Sequence, residues 1–149
     1  MKATELRGGE EHLLLGTARL RIEWGCALLP DAVREPALWI ARQRAQILRA
    51  ASPVRSIWRT PGENKRLRSK SETHVRFGAV DIGGLALDPI GRPSGEEEMI
   101  RAEANRIFPT GLAEMPRVAP LSHGTGPHYH VQATIAECEL WLVRLSKPT

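Results

Sequence analysis

From Ala18 to Leu29 the even positions Leu20, Ile22, Trp24, Cys26 and Leu28 are apolar, with Arg19, Arg21 and Glu23 between them. A period of two puts alternate side chains on opposite faces, so this stretch predicts a half-buried strand with Gly25 as a bulge. Pro30-Asp31 interrupts the pattern. From Glu35-Pro36 to Ala51 the period changes, because Leu38, Ala41, Ala45 and Leu48 recur at helical intervals and Pro36 suits a first helical turn. A helix over 35–51 is expected. After Pro53, Val54 to Trp58 predicts a short strand and Arg59-Thr60-Pro61-Gly62 a turn.

Phe77 to Ile82 predicts another short apolar strand, interrupted by Gly78 and closed by a Gly83-Gly84 turn. A loop with Pro89 and Pro93 follows. Ser94 then reads as an N-cap with Glu97 at the capping-box position, opening a second helix that runs to about Phe108, before Pro109. The stretch 111–127, rich in Pro and Gly, predicts a loop, and His130 to Ile135 and Leu140 to Val143 predict two final strands. These elements make an α+β fold, a small antiparallel sheet with two main helices. No internal repeat or linker divides the chain, so residues 1–149 are expected to form a single domain.

Composition narrows the class. A chain of 149 residues with 42% hydrophobic and 26% charged residues can bury a core and fold unaided. Cys26 and Cys138 are too few for a disulfide scaffold and form no Cys-based zinc or redox motif, so both are expected as reduced, buried small residues. The net charge of +4 favours anionic partners, nucleic acid or an anionic cell envelope among them. Arg55, Arg59, Lys65, Arg66, Arg68, Lys70 and Arg76 form a basic segment opposed only by Glu63 and Glu72. No apolar run reaches the length of a membrane span, and Leu13-Leu14-Leu15 is too short for a secretory signal. The expected location is therefore cytoplasmic as synthesised, with any work at the cell wall requiring a separate release route.

Two local patterns carry chemistry. In extended chain the side chains of His128 and His130 project to the same face, so both imidazoles share one space. Asp81 lies between Val80 and Ile82 in an expected buried strand, where a carboxylate is costly unless a cation or donors meet it. Zinc is one such cation, and two His with one Asp leave a fourth position open for water. The plainer alternatives are a solvated or structurally satisfied histidine and an Asp81 that accepts backbone donors from the Gly83-Gly84 turn. His12 and His123 receive no role.

The segments Ile57-Trp58-Arg59-Thr60-Pro61-Gly62-Glu63-Asn64, Ser71 to Ile82 and His128-Tyr129-His130-Val131 together resemble the zinc D-Ala-D-Ala carboxypeptidase and murein endopeptidase group. Its relatives include phage endolysin peptidases, lysostaphin-type enzymes and the hedgehog domain. The similarity spans about residues 35 to 135 and agrees in order, spacing and intervening helix. The resemblance implies that His74, Asp81 and His130 are zinc ligands, that His128 lies beside the zinc-bound water, and that Arg59 holds a substrate carboxylate or carbonyl. The chain departs from the pattern at three places. Glu72 stands where Ser is usual, Phe77 where Gly is usual with Gly78 one place late, and Pro127 where many members carry an acidic base.

The expected function is thus a zinc metallopeptidase, a hydrolase acting on a peptide or on peptidoglycan stem peptides as carboxypeptidase or endopeptidase. A phage or prophage lysis enzyme fits a chain without a signal. The alternatives are a catalytically silent zinc-containing binding domain of the same fold, favoured by Pro127, and a basic nucleic-acid-binding module. The last lacks interleaved aromatics, since the basic segment has only Trp58 and Phe77, at its margins.

Overall fold

A computed structural model describes residues 6–48, 52–83, 95–107, 113–114 and 128–146. In chain order the helices are α1 (Glu10–Leu14), α2 (Ala18–Trp24), α3 (Asp31–Leu48), α4 (Pro61–Arg66), α5 (Gly95–Ile107) and α6 (Ile135–Ser146). The strands are β1 (Val54–Ser56), β2 (Ala79–Gly83), β3 (Ala113–Glu114) and β4 (His128–Gln132). They form one antiparallel sheet in the order β1-β2-β4-β3, with β2 and β4 at its centre. The fold is α+β with a small antiparallel sheet, as the sequence predicts, but with more helix than the two main helices expected.

The stretch predicted as a strand over 18–29 is the helix α2 followed by a loop. Thr17 caps it, its hydroxyl accepting from the Leu20 N–H at 3.1 Å, and Arg19 pairs with Glu23 at 2.9 Å one turn on. Trp24 is buried and Leu20 packs against the core, whereas Ile22 is 76% exposed. The even positions therefore do not share a buried face, and the alternation is a coincidence that capping overrides. Gly25 is the C-cap, not a bulge.

The helix predicted over 35–51 begins earlier, at Asp31, so Pro36 falls inside it. Pro30 starts it instead, its carbonyl accepting from Val33 and Arg34 N–H. Val33, Ala37, Leu38, Ile40 and Ala41 of α3 are buried together with Val80 and Ile82 of β2 and Tyr129 and Val131 of β4. This is the core, on one face of the sheet. Burying the Val, Leu and Ile side chains among them stabilises by roughly 1.5–3 kcal/mol each. A two-pronged pair between Arg42 and Glu10, at 2.8 and 3.0 Å, ties α1 to α3 and holds the Glu10 carboxyl below its ordinary pKa.

The strand predicted at Leu140–Val143 is helical, within α6. Thr134 and Glu137 form a reciprocal capping box, with Glu137 N–H on the Thr134 hydroxyl at 3.2 Å and Thr134 N–H on the Glu137 carboxylate at 2.8 Å. The Arg59–Gly62 turn is the entrance to α4, capped by Thr60 with Pro61 in the first turn. Gly83 ends β2, and its N–H donates to Pro53 O at 2.8 Å rather than to Asp81. Cys26 is half-buried, Cys138 is buried, and both are free. Ser94, Gly84, His123 and Pro127 lie outside the described residues, as does the 111–127 loop except for β3.

Candidate metal centre

Pairing of β2 with β4 sets the geometry of the site. Asp81 is opposite His130, and Gly83 is opposite His128. In β4 Tyr129 and Val131 are buried in the core, while His128, His130 and Gln132 are half-buried on the other face. Asp81 projects onto that same face, because Val80 and Ile82 take the core side. His74 arrives from the turn before β2, where Gly78 N–H bonds to Thr73 O at 2.6 Å and Phe77 N–H to His74 O at 3.3 Å. Two contacts from the segment after β1 hold this turn. Trp58 Nε1 donates to Val75 O at 3.0 Å, and Arg59 N–H donates to His74 O at 3.3 Å.

His74 Nε2 lies 3.2 Å and His130 Nδ1 2.7 Å from the same Asp81 oxygen, Oδ1. One ligand atom from each of the three residues lies within 4.8 Å of the others, so the group could hold a metal ion. A tetrahedral ion would space such atoms about 3.4 Å apart, within the observed spread. His128 Nε2 sits 3.7 Å from the same Oδ1. Arg59 reaches the other carboxylate oxygen, Oδ2, with Nη2 at 2.8 Å. All five residues singled out in the sequence are therefore brought together.

The outer nitrogens of the two imidazoles decide what the inner ones can do. His74 Nδ1 is 2.8 Å from the Ile57 carbonyl, which can only accept, so Nδ1 carries the proton. His130 Nε2 is 2.8 Å from Gln132 Oε1, also an acceptor. In their neutral forms both rings thus aim a lone pair at a carboxylate oxygen. A cation placed between them satisfies both lone pairs and the carboxylate together. Burial pushes the Asp81 carboxyl up, but hydrogen bonds from His130 and His74 and the charge of those rings outweigh it and hold Asp81 well below the usual carboxylate range.

Phe77 has φ 54°, the left-handed region that favours glycine, and its ring stacks on Trp58 with centroids 5.7 Å apart. The position at which the resembled group usually has Gly therefore has a glycine-like backbone here. Gln132 was not singled out in the sequence, although it shares the period-two face of His128 and His130. The Ile57 carbonyl has no signature, since any residue supplies one. No known protein family, curated protein or solved structure matches this chain. Among the described residues no helix is long and apolar enough to cross a membrane.

Proposed function

We propose that the protein is a zinc-dependent peptidase, with peptidoglycan stem peptides as its substrate class. The observation that carries this reading is the convergence on Asp81 Oδ1 of two imidazoles whose outer nitrogens are committed to carbonyls. Two nitrogens and one carboxylate oxygen suit zinc and leave a coordination position for water. The resemblance of the three motif segments argues for a peptidase, and the left-handed backbone at Phe77 adds to it.

When bound, zinc supplies Lewis acidity that brings the pKa of a water to about 7 and polarises a carbonyl. The chain's own groups do the rest. His74, Asp81 and His130 would hold the ion, and Arg59 on Oδ2 orients the carboxylate. The remaining N–H groups of Arg59 can hold a substrate carboxylate or carbonyl oxygen. His128, with a side chain 22% exposed, takes the proton released in amide hydrolysis and returns it to the leaving amine, a role worth roughly 10²–10⁴ in rate.

Mass spectrometry of murein fragments, with and without a chelator, tests the activity. Chelator-sensitive cleavage is expected, and His128→Ala should lower it about a hundredfold or more while zinc content holds. His74→Ala and Asp81→Ala should lose the metal. Unchanged zinc in both ligand variants overturns the metal centre. Zinc without any cleavage by the unsubstituted protein overturns the peptidase reading and favours a silent binding domain.

A further inference from the structure

We propose that Arg55 binds a carboxylate of the substrate beside the metal centre, an assignment that rests on the peptidase reading above. β1 pairs with β2 at Val54 opposite Ile82 and at Ser56 opposite Asp81, which leaves Arg55 as an extra residue without a partner. Such a bulge bends the strand and re-aims one side chain. Here it lays Arg55 across Gly83, where an added Cβ would meet Arg55 Nε at 2.7 Å and Cγ at 2.8 Å.

That places the Arg55 stem on the face of the site. Gly83 is two residues from Asp81 in β2, so its missing side chain would project beside the Asp81 carboxylate, about 7 Å along the strand. Gly83 is also opposite His128. Arg55 therefore fills the gap left by glycine, flanked by the residue that handles the proton.

Arg55 is exposed and has no ion-pair partner among the described residues. The other arginines of the basic segment differ. Arg59 is held by Asp81, Arg66 by Glu63, and Arg76 by Glu72 and Glu139. Arg68 is exposed but comes after α4, away from the β1–β2 pairing that carries Arg55 over Gly83. A guanidinium presents its N–H groups as a planar fork that matches the two oxygens of a carboxylate. Two parts of a peptide offer one, the C-terminus and an acidic side chain.

The experiment compares the zinc-loaded protein with Arg55→Ala, Arg55→Lys and Gly83→Ala on three matched peptides. One has a free C-terminal acid, one a C-terminal amide, and one an amide with an added acidic residue. The unsubstituted protein should prefer a carboxylate-bearing peptide over the plain amide by about ten- to hundredfold in kcat/KM, carried mainly by KM. Arg55→Ala should remove most of the preference, leaving at most what Arg59 supplies, and Arg55→Lys should restore part of it. Gly83→Ala, whose methyl pushes the arginine stem aside, should weaken it with zinc still bound. Preference for the free acid identifies the terminus, and preference for the acidic amide identifies a side chain. Equal losses on all three peptides in Arg55→Ala, or no loss, overturn the assignment while leaving the peptidase intact. Cleavage of none of the peptides by the unsubstituted protein overturns both.

Discussion

Two carbonyl oxygens, Ile57 O and Gln132 Oε1, set which nitrogen of each imidazole faces Asp81. Each takes the proton-bearing nitrogen of one imidazole and turns the other inward. The backbone carbonyl cannot be mutated away, but Gln132 can. Removing such a partner typically costs 10- to 100-fold in metal affinity. Gln132→Leu is therefore expected to weaken zinc binding by about that factor, measured by chelator competition, and Gln132→Glu should retain most of it because a carboxylate also accepts from Nε2. Equal zinc affinity in all three proteins would show that the His130 tautomer is set by something else. Gln132 was legible only in part, since period two places it with the two histidines but nothing in its residue type announces the role.

At the scale of elements, local capping outweighs alternation wherever the two compete. α2 and α6 both occupy stretches that predict strands, and both open on a threonine that accepts from the backbone three residues on. The signal was present in Thr134-x-x-Glu137, a capping box, and hidden by the β-favouring run Leu140-Trp141-Leu142-Val143. Several of those apolar side chains face water, with Leu140 at 54% and Val143 at 51% exposed, so a buried strand never formed there. Thr134→Ala should destabilise α6 by about 1 kcal/mol. Urea unfolding followed by circular dichroism checks this, and an unchanged midpoint would mean that α6 does not depend on its cap. β1, β2, α3 and α5 were legible because their signals do not conflict: short apolar runs next to turn residues, and helical spacing next to Pro or an acidic first turn. Only their ends moved, as with Pro30 taking the start that Pro36 was expected to mark.

Across the molecule, the residues that gather around Asp81 were more legible than the strand pairing that gathers them. Asp81, His128 and His130 could be read as candidates from local strand patterns and His74 from the resemblance, whereas the pairing of β2 with β4 joins Asp81 to His130, 49 residues apart in sequence, and leaves no local trace. The basic segment is also less uniform than its composition, since Arg59, Arg66 and Arg76 are in ion pairs and Arg55, Lys65, Arg68 and Lys70 are exposed. A cation between Asp81 and His130 would act as a rivet, closing a loop of about fifty residues much as a crosslink does and limiting how far β4 can peel away from its neighbour. Hydrogen exchange should register this. On chelation, amides of β4 should lose protection while those of α3, anchored in the core, keep theirs. Uniform loss across both would mean that the whole molecule, not one strand, depends on the metal. A site of this kind would make the β2–β4 pairing at the middle of the sheet conditional, so metal supply would decide how long that seam stays closed to proteases and to other chains.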